Sequence, residues 1–216
     1  MRIGILGSGL IGGKLGTLFA RAGHRVVFAY ARTPGKLARL ARRAGAHAHA
    51  GTPAEAVRDA DVVLIAVPWW RVHDVLKRAG DLSGKVLITC MLPMSAGDRG
   101  LVIGRTDSGA EALAHRARGA KVVSAFGTIP SEVLFAVHAR RKRRPRPDLL
   151  YCGDDARAKR VAARLIRQLG FKPVDAGALR MARYLEPFTL LIARLAYETG
   201  ESPALAYRFE RFVERS

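Results

Sequence analysis

The sequence predicts a doubly wound α/β fold of Rossmann type, a parallel sheet with helices on both faces, followed by a small α+β C-terminal region. Three observations predict it. Short apolar runs alternate with segments of helical period through the first 130 residues, the pattern of βαβ units. The first apolar run leads straight into Gly7-Ser8-Gly9-Leu10-Ile11-Gly12. The chain has 216 residues, 49% hydrophobic and 25% charged, which suits one domain with a modest appendage and excludes a wholly disordered chain. The expected division is a dinucleotide-binding domain over 1–130 and a compact region over 131–216.

Ile3 to Leu6 is the first strand, and Leu10 to Arg21 the helix after it, stopped at Gly23. Arg25 to Tyr30 is strand-like. Lys36 to Arg43 is a helix with a basic outer face, ended by Gly45. Residues 46–50 are a weak strand. Thr52-Pro53-Ala54-Glu55 is a capping box with proline at the first helical position. The run VVLIAV within 61–68 is a buried strand by its length and branched residues. A helix follows from Trp69 to Ala79, then a strand at 85–89, a helix at 110–118 and a strand at 121–125.

The second part is less regular. The stretch HARRKRRPRP at 138–147 reads as a basic loop. Leu149 to Cys152 is a strand. Gly153-Asp154-Asp155 caps a helix from Ala156 to Leu169 that sets Val161, Leu165, Ile166 and Leu169 against four arginines. Phe171 to Val174 is a strand, and residues 179–199 form a long helix with more apolar residues than one face needs, which suggests burial from two sides, as at a homodimer interface.

Lysine plus arginine number 37 against 18 acidic residues, a net charge of +19 and a pI near 11.2. Such a field attracts polyanions, yet pI speaks to non-specific association rather than to a designed site. The charge is therefore read as a solvated, arginine-rich surface, without a nucleic-acid function. No apolar run reaches the roughly 18 residues that span a bilayer, so no membrane partner is expected. The N-terminus lacks the form of a signal peptide. Cys90 and Cys152 are too few for a disulfide scaffold and lack metal spacing. A reducing cytoplasm is the expected compartment.

The glycine motif alone is a weak signal; between a strand and a helix it is specific. Gly7 permits the tight turn, Gly9 lets a pyrophosphate approach the backbone, and Gly12 lets helix and strand pack closely. The helix start supplies free amide donors. NAD folds usually end the second strand in a carboxylate that holds the ribose hydroxyls. Here the stretch is Phe28-Ala29-Tyr30-Ala31-Arg32-Thr33, with Lys36 one turn on. A guanidinium fork matches a phosphate in charge and geometry, which favours NADP(H) over NAD. Ligands of such sheets sit beyond the carboxyl ends of the strands. Val67 and Pro68, at the end of Val67-Pro68-Trp69-Trp70, would line that path with a tryptophan near the pocket; Cys90-Met91-Leu92-Pro93 would form an apolar wall, and Ser124-Ala125-Phe126-Gly127-Thr128-Ile129-Pro130 ends the sixth strand.

Taken in order, GSGLIGGKLG, the Arg32 position, VPW at 67–69, SAFGTIP at 124–130, CGDD at 152–155, GFKPVDAG at 170–177 and RYLEP at 183–187 resemble the NADP oxidoreductases that use the deazaflavin coenzyme F420, and their bacterial relatives. The likeness runs from residue 1 to about 210. It implies hydride exchange between NADPH and a deazaflavin stacked on the nicotinamide. It also implies a C-terminal region that helps close the site and takes part in dimerisation. By position, Gly7, Ser8, Gly9, Leu10, Ile11 and Gly12 would hold the pyrophosphate and Arg32, Thr33 and Lys36 the 2′-phosphate. Val67, Pro68, Trp69, Met91 and Leu92 would flank the nicotinamide, and Thr128 and Ile129 would face the second ring system.

The sequence departs from that pattern at Tyr30 and Ala31, where relatives often carry small polar residues, at Gly127, where they usually carry His or Asn, and at the strongly basic 138–147, read as a solvated loop with engagement of an anionic acceptor tail as the alternative. No Ser/His/Asp set, metal cluster or catalytic lysine stands out. His47 and His49 share a strand face without a carboxylate partner, and His73 follows Trp70 on a helix. Hydride transfer between stacked cofactors needs positioning and dryness rather than a strong acid or base, so no catalytic residue is assigned. Two other readings keep the NADPH: reduction of a flavin, a ferric–flavin pair or a small carbonyl or imine, and a non-catalytic NADP(H)-binding redox sensor.

Overall fold

The computed structural model describes residues 1–33, 35–95, 97, 100–104 and 106–212. In the first part the strands are β1 (Arg2–Leu6), β2 (Arg25–Ala29), β3 (Ala48–Ala50), β4 (Val62–Ile65), β5 (Val86–Thr89) and β6 (Lys121–Ala125). Between them run α1 (Leu10–Arg21), α2 (Lys36–Ala44), α3 (Pro53–Arg58), α4 (Val72–Ala79) and α5 (Gly109–Arg116). The chain continues through α6 (Val133–Ala139), β7 (Asp148–Gly153), α7 (Ala156–Leu169), β8 (Lys172–Asp175) and α8 (Ala182–Tyr197).

All eight strands join one sheet in the order β3-β2-β1-β4-β5-β6-β7-β8. Strands β1 to β6 are mutually parallel, so the Rossmann expectation holds. Strand β7 runs back along β6, with Ser124 opposite Cys152, and β8 is parallel to β7. The strand order reverses between β1 and β4, the crevice where doubly wound sheets take their ligands. Every residue of β4 and of β5 is buried, as expected of strands covered on both faces.

The two faces have separate cores. Leu15, Leu18 and Phe19 of α1, Val133 and Leu134 of α6, and Leu165, Ile166 and Leu169 of α7 pack on one side. Val57 of α3, Val72 and Val75 of α4, Leu113 of α5 and Leu185 of α8 pack on the other. The capping box is present: Glu55 N donates to Thr52 Oγ1 at 3.2 Å, and Thr52 N donates to Glu55 Oε2 at 2.7 Å.

Local differences from the sequence reading have physical causes. Helix α6 has seven residues, VLFAVHA, with no side-chain cap and no polar stripe, so it carries no helical period to read. The basic segment begins inside it, at His138. The long C-terminal helix is shorter than the 179–199 expected: residues 179–181 form a 3₁₀ turn, and α8 ends at Tyr197.

Two acidic contacts dock α8 on the first part. Glu186 is 4% exposed and accepts from Gly109 N and Ala110 N, both at 2.9 Å, at the start of α5. Arg183 donates to both carboxylate oxygens of Glu111, at 2.9 and 2.7 Å. Residues beyond α8 are tied down at Tyr207, whose carbonyl accepts from Asp148 N at 2.9 Å. Among the described residues no helix is long and apolar enough to cross a membrane, and no cluster of potential metal ligands forms.

Candidate functional site

The loop after β1 opens a cleft at the carboxyl ends of β1, β2 and β4. Its backbone demands glycine at two places. Gly7 sits at φ +116°, and an added Cβ would stand 2.2 Å from Ala66 O. At Gly12 a Cβ would stand 2.1 Å from Gly7 O, so only glycine lets α1 rise this close to its own turn. Gly9 differs: a Cβ there meets nothing within 4 Å and would project into open space. It is the N-cap of α1, no side chain caps that helix, and its first turn holds no acidic residue. The amide donors of this twelve-residue helix are left for an anion. These features fit a dinucleotide pyrophosphate.

Gly7, Ser8 and Gly9 form one wall of the cleft, Arg32, Thr33 and Lys36 a second, and Val67, Pro68, Trp70 and Arg71 a third. The cleft therefore holds three cations and no carboxylate among its lining residues. Arg71 escaped the sequence reading, and which tryptophan of Trp69-Trp70 reaches the cleft was not legible, because these residues sit in a 3₁₀ turn, Trp69–Arg71, where helical period does not assign a face. Tyr30 adopts the left-handed region at φ +64° and turns its hydroxyl onto Asp74 Oδ2 at 2.6 Å. That contact holds the Asp74 carboxyl below its ordinary range and, with burial, raises the Tyr30 phenol. Ser8 Oγ donates to Tyr30 O at 3.4 Å, linking the glycine loop to the end of β2.

A second space adjoins the first, sharing Gly9 and Ala66 with it. Leu10 and Ile11 bound it from α1, Gly127, Ile129 and Pro130 from the loop after β6, and Thr189, Ile192 and Ala193 from α8. The chamber is mostly apolar and has a volume of about 320 Å³. Leu10, 72% exposed, stands at the rim. At Gly127 a Cβ would sit 3.5 Å from Cys90 O and 3.6 Å from Thr189 Oγ1, ordinary contacts, so glycine here widens the chamber without being required by the backbone. At one edge Lys14 Nζ donates to Ser131 Oγ at 2.9 Å, Ser131 Oγ to Glu132 Oε1 at 3.0 Å, and Tyr197 OH to Glu132 Oε2 at 2.6 Å. Burial and that carboxylate push the Tyr197 phenol up to about 12, so it keeps its proton at neutral pH.

The remaining predicted residues lie elsewhere. Trp69 points away from the cleft, its ring 4.8 Å from the Arg116 guanidinium and packed on the α3–α5 core. Thr128 is buried, its Oγ1 2.7 Å from Tyr207 OH, so Ile129 alone of that pair reaches the chamber. Met91 and Leu92 are half-buried after β5, Met91 packing on the same core as Trp69. Burial pushes the Cys90 and Cys152 thiols up to about 12, and both are unpaired; neither is a thiolate nucleophile at neutral pH.

Residues 2–93 match the family model described as NADP oxidoreductase, coenzyme F420-dependent. A metalloreductase of Rattus norvegicus, STEAP3, is 31% identical over 189 residues. The match takes in 88% of this chain, which spans about a third of that relative's length (36%). Among solved structures, a candidate F420-dependent NADP-reductase from Arthrobacter sp. superposes with a TM-score of 0.85 at 25% identity, covering 98% of this chain and all of that one (100%). A hypothetical protein from Sinorhizobium meliloti gives 0.75 at 28% identity, over 97% of this chain and 96% of its own. A reductive aminase from Aspergillus terreus, solved with NADPH, shares the fold, with a TM-score of 0.65 at 18% identity over 92% of this chain and 62% of its own.

Proposed function

We propose that this chain, whose residues 2–93 match the family model of coenzyme F420-dependent NADP oxidoreductases, is an NADP-dependent oxidoreductase that exchanges a hydride between NADP(H) and a deazaflavin. The observation that carries the reading is the junction at Gly9 and Ala66 of a cationic cleft with an apolar chamber. A charged dinucleotide and a flat ring system suit these two spaces in turn. Bound together, the two coenzymes supply the hydride donor and acceptor.

The chain's own residues bind, orient and keep water out. The open start of α1 and the Gly7–Gly9 backbone would hold the pyrophosphate; Arg32, Thr33 and Lys36 would hold the 2′-phosphate. Val67 and Pro68 would support the nicotinamide from below. Ile129 and Ile192 would press on the acceptor ring, and α8 would act as the chamber's far wall. Ser131 and Tyr197 hold their protons at the rim, bonded to Glu132. Such positioning of two reacting rings, rather than acid–base chemistry, would supply the rate enhancement. The same reading includes a cytoplasmic homodimer formed through the outer face of α8, where Tyr184, Leu191 and Leu195 are exposed. A strictly monomeric species across a dilution series contradicts the dimer.

The similarity to a metalloreductase favours a second reading, reduction of a flavin or a ferric–flavin pair from the same NADPH cleft. Both are tested by following NADPH oxidation with deazaflavin, FMN, FAD and ferric iron with FMN offered separately, and NADH as the control donor. NADPH-selective turnover with deazaflavin alone supports the proposal. Turnover with the flavin or ferric pair alone supports the second reading. Tight NADPH binding with no turnover on any acceptor contradicts both.

A further inference from the structure

Away from the cleft and chamber lies a larger cavity of about 670 Å³, none of whose lining residues belongs to either. Val133, Ala136 and Val137 of α6 give it an apolar side, and Ala204, Ala206 and Tyr207 of the C-terminal strap a second. Arg140, Arg143, Arg146 and Arg208 stand around it, and no carboxylate is among its lining residues.

Among the described residues the charges there are poorly matched. Arg208 has Glu210 at 3.6 Å. Among the described residues Arg140, Arg143 and Arg146 form no ion pair with a carboxylate. Arg146 Nη2 is spent on Arg141 O at 2.9 Å, while its Nε is buried without a partner. A buried donor left unmade is costly, and native structures keep few of them. Guanidiniums gathered without counter-charge also repel one another. An oxyanion would supply the missing counter-charge, since a planar fork of N–H groups matches carboxylate and phosphate geometry. The apolar walls need something that an inorganic ion lacks. The volume lies within the usual range for small-molecule sites, whose lining is mainly apolar with a few placed polar groups.

We propose that this cavity is a second ligand site, selective for a small amphiphilic anion: one phosphate or carboxylate head among Arg140, Arg143 and Arg146, and a short apolar body against α6 and the strap. The site does not depend on the hydride acceptor, and its test can fail while the functional reading stands.

Octyl phosphate, octanoate and inorganic phosphate are titrated calorimetrically into the protein already saturated with NADPH, so that the dinucleotide cleft is filled. Saturable one-to-one binding of octyl phosphate or octanoate, at least tenfold tighter than inorganic phosphate, is expected; which of the two binds tighter identifies the head group. The double variant R143A/R146A should weaken that binding at least tenfold and leave NADPH affinity unchanged. Should that variant fail to fold, Ala136→Trp, at an exposed helical position lining the cavity, should block the amphiphile alone. Inorganic phosphate binding as tightly as octyl phosphate, binding indifferent to these substitutions, or no binding of either amphiphile overturns the proposal.

Discussion

Arg32 stands where a carboxylate would choose NAD, beside Lys36 and Arg71 on a cleft whose lining residues include no acid. Arg32→Ala should weaken NADPH by about 1.5–3 kcal/mol, the worth of hydrogen bonds to a charged group, and leave NADH nearly unchanged. Titration with both nucleotides checks it, and equal losses would contradict the assignment. The glycines separate fold from function. Gly9→Ala adds a methyl group to open space, so stability should change by less than about 1 kcal/mol while dinucleotide affinity falls. Gly7→Ala must place Cβ against Ala66 O at positive φ and should cost at least about 2 kcal/mol of stability, read from denaturant midpoints. Equal destabilisation by both would mean that Gly9 is structural. The motif made all three glycines legible in the sequence, but not this distinction between them, which depends on what the fold places opposite each one. Trp69 and Trp70 show the same limit. Adjacent in the chain, one packs under Arg116 and the other lines the cleft, and only the turn geometry decides between them.

At the scale of elements, the contact between α5 and α8 is titratable. Burial pushes the Glu186 carboxyl up to about 7 from an ordinary 4.5, with Glu111 and Asp107 adding to the rise, against two backbone N–H bonds that oppose it. A carboxyl whose folded pKa exceeds its unfolded value stabilises the fold fully below about pH 4.5, and that contribution is lost as pH rises through about 7. The wild type should therefore lose on the order of 2 kcal/mol between those limits from this group. Glu186→Gln should flatten the decline, as measured by thermal unfolding across that range. A variant with an unchanged slope would contradict the account. No single-sequence pattern could reveal this pairing, because residues 109 and 186 are joined only by tertiary structure. Helices with strong period, such as α7, were legible almost to the residue: Asp155 caps it through Ala158 N at 2.7 Å, and Gly170 ends it in the left-handed region. Helix α6 was not, since seven mostly apolar residues offer no contrast between faces.

At the scale of the whole molecule, the net charge of +19 gives a long-range field that attracts polyanions. Binding to duplex DNA should be independent of sequence and vanish at modest salt, because counterion release makes such affinity steeply salt-dependent. An NADPH-dependent, sequence-specific gel shift would instead support a redox sensor. The doubly wound parallel sheet was legible because strands alternate with helices, whereas the order of strands, with its reversal between β1 and β4, is set by tertiary pairing. The backward run of β7 was not legible, since neither strand carries a sign of its direction in its apolar pattern. The most direct test of the central claim is transfer of deuterium from NADPH carrying deuterium at both nicotinamide C4 positions to deazaflavin, in ordinary water, followed by mass spectrometry of the reduced acceptor. Direct transfer between two rings held face to face predicts label retained in the acceptor of the wild type, with the NADPH-driven rate sharply reduced in Arg32→Ala. Reduced acceptor carrying no label, or no reduction at all by protein saturated with NADPH, would contradict it.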